Sequence, residues 1–463
     1  MTDLSALLRP DQGQPANALI LLDRKGLEPW LKAQPERVRR AAETAGFEGK
    51  ADQFALVPGD KAADWAALLG AADAADPGVW GLAKAADLLP AGSYRLAGRA
   101  PGPAALGWLL AQYRFDRYKA EPAAKGPRIL LSEEPARIAE ALLMAEATNL
   151  VRDLVNIPAQ DMGPDALESA VSELAKSCSA ALSPTSGAEL EREYPLIHAV
   201  GRAAAPGRGP RLLELEWGDP RHPRLALIGK GVAFDTGGLD IKNSAGMRLM
   251  KKDMGGAAHA IALALLVMKS RLPVRLHLLV PAVENAIAGN AFRPGDILKS
   301  RKGVTVEVHN TDAEGRLILA DALTRAAESR PDLILDFATL TGAARVALGP
   351  DLPAMFANRD DLAAALLAAG EAEADPVWRM PLWKPYREML ASDVADLANA
   401  SDAPMAGAVT AALFLQKFVP DDLAWAHFDT FAWRAAAKPG RPKGGDALGL
   451  RAAWAMLRSR YRA

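Results

Sequence analysis

Residues 224–240 read RLALIGKGVAFDTGGLD. The apolar run at 225–229 has the length and content of a buried strand, and it ends on Gly229-Lys230-Gly231. A lysine between two glycines, directly after a buried strand, is an odd place for a solvated cation. Asp235, Gly237-Gly238 and Lys242 follow. Taken singly, each charge has an ordinary reading: Lys230 as a loop lysine, Asp235 as a turn former, Lys242 as a surface charge.

Outward from this stretch, strands and helices alternate. Apolar runs at 212–217, 276–280, 304–308 and 333–338 read as further strands, and 256–270, 317–328 and 406–418 as helices. The alternation predicts an α/β fold with a mixed, largely parallel sheet and helices on both faces. Ligands in such sheets settle where strands end. Upstream, 135–154 reads as a long helix ending near Asn156-Ile157-Pro158, and the Pro/Gly-containing stretch 121–127 reads as a linker. The first 120 residues read as a smaller α/β N-terminal domain, with strands at 18–23 and 53–57 and helices at 37–45 and 62–72. The expected division is 1–120 for that domain, 121–155 for linker and connecting helix, and 156–463 for the domain carrying the chemistry.

Bulk composition narrows the function. Of 463 residues 50% are apolar and 24% charged, an ordinary globular balance. A net charge of −1 gives no excess of lysine and arginine to neutralise phosphates, so nucleic-acid binding has no support in composition. The single cysteine, Cys178, excludes a disulfide framework and a thiolate metal cage; it reads as a small helix residue in a reducing compartment. The start, Met1-Thr2-Asp3-Leu4, lacks the basic-then-apolar pattern of a secretory signal. The apolar stretch 257–268 is too short to span a bilayer, so no membrane association is expected.

Two further stretches carry clustered charge. Asp253-Met254-Gly255-Gly256 opens the helix containing His259, and Asp253 stands where an N-cap belongs. Residues 304–317 read VTVEVHNTDAEGRL. Val304, Val306 and Val308 alternate with polar residues as in a strand. In the extended segment after it, Asp312 and Glu314 point the same way, with Arg316 beyond. Gly315 permits a sharp turn into the next helix. A surface salt-bridge cluster would explain this stretch alone. Jointly, Asp235, Asp253, Asp312 and Glu314 sit at strand ends or a helix start of one α/β unit, without a histidine cluster. That pattern suits hard, oxygen-liganded divalent ions, two of which balance four carboxylates. There is no HExxH motif and no GxSxG elbow.

The stretches GKGVAFDTGGLDIK (229–242), DMGGAA (253–258) and NTDAEGRL (310–317) resemble the signatures of the leucine aminopeptidase (cytosol aminopeptidase) family. The resemblance runs from about residue 100 onward, including 113–119, 153–158, 381–383 and 406–408, and is weak before that. It implies a cytoplasmic metallo-exopeptidase that releases N-terminal residues, leucine and other apolar ones foremost, and serves peptide turnover. It implies a homohexamer acting on peptides. It implies two divalent ions per subunit, manganese or zinc before magnesium or cobalt, together with bicarbonate. By the same resemblance Lys230, Asp235, Asp253, Asp312 and Glu314 hold metal, with Asp312 also using its backbone carbonyl and Lys230 neutral. Lys242 faces the substrate carbonyl, and Arg316 holds the bicarbonate with backbone amides near Ala313, Gly315 and Leu340. Met250, Asn310, Ala313, Thr339 and Gly342 line the first side-chain pocket.

Some residues depart from the family's pattern. Proline is commoner at 243, asparagine at 246 and an acid at 248, where this chain has Asn243, Gly246 and Arg248. That suggests a looser turn after Lys242. His309 stands in place of an apolar residue and reads as a satisfied histidine on a strand. Asp446, within Gly444-Gly445-Asp446-Ala447, replaces part of a Gly-Ala-Thr-Gly turn and is expected at the pocket rim or a subunit contact. Two other readings stand beside the enzyme: a DNA-binding regulatory protein of the same family, and a catalytically silent scaffold.

Overall fold

Residues 65–70, WAALLG, are apolar without interruption, and backbone pairing on both edges makes them a strand. In the computed structural model, which describes residues 3–59, 61, 64–120 and 125–462, this strand lies inside a six-stranded sheet. Its members are β1 Leu8–Pro10, β2 Asn17–Leu22, β3 Phe54–Pro58, β4 Trp65–Gly70, β5 Gly92–Leu96 and β6 Arg128–Ser132, in the order β1-β6-β5-β2-β4-β3. β4 runs parallel to β2, with Leu19 opposite Ala67, and antiparallel to β3. The helix expected over 62–72 is therefore corrected to a strand; Ala62 and Ala63 lie outside the described residues. An unbroken apolar run carries no period that separates helix from strand.

Close contacts divide the chain into one unit of Met1–Asn149 with Ala435–Lys443 and another of Leu150–Arg434 with Gly444–Ala463. The division falls inside the helix Pro135–Asn156, and β6 joins the first sheet from within the stretch read as a connection. Residues 121–124 of the expected linker lie outside the described residues.

The second unit is built on a nine-stranded sheet. Its strands are β7 Ala181–Ser186, β8 Arg211–Trp217, β9 Arg224–Gly229, β10 Gly231–Asp235, β11 Arg275–Asn285, β14 Leu333–Ala338, β15 Ala354–Ala357, β16 Trp378–Arg379 and β18 Trp425–Asp429. The order is β16-β15-β18-β14-β9-β11-β8-β7, with β10 also on β11. β18, β14, β9, β11 and β10 pair parallel, whereas β7, β8 and the β15–β18 contact are antiparallel. This is the mixed, largely parallel α/β sheet expected. The strand expected at 304–308 is real but belongs elsewhere. As β13 Thr305–Glu307 it pairs with β12 Ile297–Lys299 and β17 Leu397–Ala398 in a small sheet, where only one face of β13 is buried.

The helix Gly255–Lys269 is buried from Gly255 through Met268, because it is apolar on every side. Its first turn meets the ends of β9 and β14 with no room for side chains. A Cβ on Gly229 would fall 2.5 Å from Ala257 Cα, and one on Gly256 2.1 Å from the Phe337 carbonyl oxygen. Glycine at both positions lets the backbones touch, and that contact carries Lys230 and Asp253 to one place. Among the described residues no helix is long and apolar enough to cross a membrane.

Candidate metal centre and active site

β9 stops at Gly229, and β10 starts at Gly231. Lys230 between them donates its amide to Phe337 and accepts from the Ala257 amide, so both neighbours anchor its backbone. Its side chain is buried, with Nζ 2.7 Å from Asp253 Oδ2, 2.9 Å from Glu314 Oε1 and 3.1 Å from the Thr339 carbonyl oxygen. Burial opposes the charge on this ammonium, yet Asp253, Glu314 and Asp235 outweigh it and raise the pKa.

Asp235 ends β10, beside an irregularity in its register with β11. Its Oδ1 accepts from Asn285 Nδ2 at 2.9 Å and the Gly237 amide at 2.8 Å; its Oδ2 faces Lys242 Nζ at 2.8 Å. Lys242 also donates to Asp312. The oxygens of Asp235, Asp312 and Glu314 lie within 4.8 Å of one another.

Three local expectations are corrected. Asp253 does not cap the helix after it. It closes the one-turn 3-10 helix Met250–Lys252, Met254 takes the cap position, and the Asp253 carboxylate instead accepts from Thr339 Oγ1 at 2.7 Å. Asp312 and Glu314 do not share an extended segment. Asp312 sits in a turn, and Glu314 is the first residue of the helix Glu314–Glu328, so they converge through that turn and not through strand alternation. Gly315 is not the entry turn but lies within the helix. A Cβ there would come 2.6 Å from Lys230 Cε, so the glycine makes room for the lysine.

Two of the three backbone amides expected to hold an anion have partners within the protein. The Ala313 amide donates to the Asn310 carbonyl at 3.2 Å and the Leu340 amide to Asp429 Oδ1 at 2.9 Å, so both are already engaged. Gly315 keeps a first-turn amide that no intrahelical acceptor serves. Arg316 is buried; its Nη1 donates to the Asn399 carbonyl at 2.6 Å, while its Nε has no hydrogen-bond partner. Burial lowers its pKa to about 10.

Asn243 and Gly246 do not loosen the turn after Lys242. The Asn243 side chain caps the short helix Ser244–Met247 through the Gly246 amide at 2.8 Å. Arg248 is exposed. His309 is held by Glu307 at 3.1 Å and Asp402 at 3.0 Å. Asp446 is buried between Arg434, at 2.9 Å, and Arg152, at 3.5 Å, away from the cavity lining.

A cavity of about 510 Å³ opens over these groups, and Met250, Asn310, Ala313, Thr339 and Gly342 all line it. Three contributors went unread in the sequence. Asn399 is buried and ties together the amides of His309 and Asn310, the Asn310 carbonyl and Arg316. Asp429, at the end of β18, holds the Leu340 and Thr341 amides and the Thr341 hydroxyl. Lys252 is a buried cation in the cavity wall. Asn399 and Asp429 are lone polar residues in apolar contexts, without a spacing pattern to mark them. Lys252 carried a signal: in Lys251-Lys252-Asp253 next to a buried helix, both lysines cannot reach solvent easily.

The donor set suits divalent cations. Four carboxylates face Lys230 and Lys242, and buried Glu314 Oε2 has no hydrogen-bond partner. Burial first, and then the charge of Asp235, push the pKa values of Asp312 and Glu314 above the ordinary carboxylate range. Added positive charge would reverse both effects.

Among known families, residues 149–453 match the "Cytosol aminopeptidase family, catalytic domain", and residues 18–130 match the N-terminal domain of the same aminopeptidases. The chain belongs to the cytosol aminopeptidase family. It is 43% identical over 362 residues to a probable cytosol aminopeptidase of Syntrophotalea carbinolica, covering 74% of this chain and 72% of that one. The crystal structure of the Coxiella burnetii cytosol aminopeptidase aligns over 100% of both chains, with a TM-score of 0.94 and 45% identity. The bottromycin maturation enzyme BotP in complex with Mn aligns over 99% of this chain and 100% of its own, with a TM-score of 0.86 and 32% identity. As a member of this family the chain is a metal-dependent aminopeptidase, a hydrolase acting on peptides, and the family's metal dependence agrees with the cluster of carboxylates.

Proposed function

We propose that Lys230, Asp235, Asp253, Asp312 and Glu314 hold two divalent ions, and that Lys242 and Arg316 act on the substrate. The observation that carries this reading is the convergence of the Asp235, Asp312 and Glu314 oxygens within 4.8 Å beside two lysines. Bound there, divalent ions supply Lewis acidity and lower the pKa of water at the site. Manganese and zinc are the first choices, with magnesium and cobalt also suited to this donor set.

The chain's own groups divide the remaining work. Thr339 orients Asp253, and Asn285 orients Asp235. Lys230 must give up its proton to serve as a ligand, and nearby dications favour that loss. Lys242, paired with Asp235 and Asp312, keeps its ammonium at the cavity lining and is suited to stabilise the carbonyl oxygen as negative charge builds there. Arg316, with an unpartnered Nε, and the Gly315 amide would hold a small anion such as bicarbonate, which when bound would supply general acid–base chemistry at the site. Met250, Asn310, Ala313, Thr339 and Gly342 surround the N-terminal side chain of the substrate, where leucine and other apolar residues fit.

The reading extends to a cytoplasmic homohexamer, which sedimentation equilibrium tests: a monomer mass contradicts it. The near-neutral charge disfavours the DNA-binding alternative. For the site itself, Glu314→Ala is expected to lower hydrolysis of a leucine anilide by about a thousandfold, in line with loss of a group that supports transition-state charge. Wild-type activity and metal content in that variant would sink the assignment.

A further inference from the structure

Lys252 is 4% exposed and lines the cavity; its amide donates to the Leu249 carbonyl, but among the described residues its Nζ donates no hydrogen bond, and burial lowers its pKa from the ordinary lysine value while Asp253 opposes that shift. Its nearest carboxylate oxygen is Asp253 Oδ1 at 3.7 Å, and that oxygen already accepts from Thr339. The other nearby acid, Asp429, is committed to Leu340 and Thr341. Lys252 Nζ instead stands 5.2 Å from the centroid of the Phe431 ring, and Arg345 Cζ stands 4.8 Å from the same centroid. Both cations and the ring line the cavity with Met250, Thr339 and Gly342. A Cβ on Gly342 would lie 3.8 Å from Arg345 Nη2, so the guanidinium folds back over that pocket wall. An ammonium on the cavity wall with no carboxylate in hydrogen-bonding range gains a charge-assisted hydrogen bond when a ligand carboxylate reaches it.

We propose that Lys252, assisted by Arg345, sets a preference for substrates whose N-terminal residue carries a carboxylate, glutamate or aspartate, over their neutral amide isosteres. This rests on the aminopeptidase reading above. The free α-amine is held at the carboxylate cluster that includes Asp253. Lys252 is the next residue in the chain and faces the same cavity, within reach of a side chain that starts at that amine. Methylene groups of the side chain lie along Met250 and Phe431, and the terminal carboxylate meets Nζ. The neutral Gln or Asn isostere makes the apolar contacts but leaves the ammonium without its counter-charge.

The test compares kcat/KM for the p-nitroanilides of Glu, Gln and Leu, with manganese-loaded wild type, Lys252→Met and Lys252→Arg. The Glu-to-Gln ratio is expected to exceed about tenfold in wild type, to fall by about tenfold in Lys252→Met and to persist in Lys252→Arg. A wild-type ratio at or below one, or the same ratio in Lys252→Met, overturns the proposal while Leu hydrolysis upholds the aminopeptidase reading. If none of the anilides is cleaved, the aminopeptidase reading fails instead. Calorimetry of L-glutamate against L-glutamine on the loaded protein then decides the proposal: tighter, Lys252-dependent glutamate binding supports it, and equal affinity overturns it.

Discussion

Lys230 is held by backbone on both sides and by two carboxylates in front, and its stem passes directly over Gly315. A methyl group at 315 would stand inside contact distance of three atoms of that stem. Gly315→Ala should therefore displace Lys230 and cost about 1–3 kcal/mol through overpacking. The expected result is a lower denaturation midpoint, together with weaker metal retention on dialysis than wild type. Unchanged metal retention would mean the lysine does not depend on that space. The carboxylates and lysines of the site were legible in the sequence because strand ends and helix starts displayed their charges in short runs. Their local geometry was less so. Asp253 was expected to cap and instead faces Lys230; Asp312 and Glu314 were read as extended and converge through a turn. Asn399 acts across 89 residues on Asn310, a distance over which no local pattern forms.

At the scale of elements, β14 and β18 lie side by side with Asp336 opposite His427. His427 Nδ1 is 2.5 Å from Asp336 Oδ1, and Trp425 Nε1 donates to the other oxygen at 2.6 Å. Burial opposes an imidazolium here, but Asp336, then Asp429, outweigh it and raise the His427 pKa above its ordinary value of 6.5. A raised folded-state pKa means that the stabilisation is complete below about pH 6.5 and is lost as pH climbs through the folded value. The urea midpoint of wild type should thus fall between pH 6 and pH 9 by more than that of Asp336→Asn. Equal falls in the two proteins would remove this pair from the account. The strands themselves were readable where the apolar run was short and bounded by glycine, proline or charge, as at β9 and β14. At β4 the run WAALLG had no period, and only its partners β2 and β3 decide between helix and strand. β13 was recognised as a strand, but sequence alternation does not say which sheet a strand joins.

For the whole molecule, the second unit concentrates chemistry at one edge of its parallel core, where β9, β10, β14 and β18 end and two helices begin. The α/β class followed from alternation of strand and helix. The division of the chain was less legible, because it falls within the continuous helix Pro135–Asn156, where no break in composition marks it. Residues 435–443 also return to the first unit from near the C-terminal end, which no local signal announces.

Across the whole molecule, the proposed activity rests on a cluster of carboxylates and lysines that holds divalent ions acting on a free N-terminus. Its most direct test follows release of free leucine from Leu-Gly-Gly and from N-acetyl-Leu-Gly-Gly, before chelation, after removal of metal, and after adding back manganese or zinc. Release is expected from the free peptide only, lost on chelation and restored by metal. Cleavage that survives complete metal removal, or equal cleavage of the acetylated peptide, would contradict it.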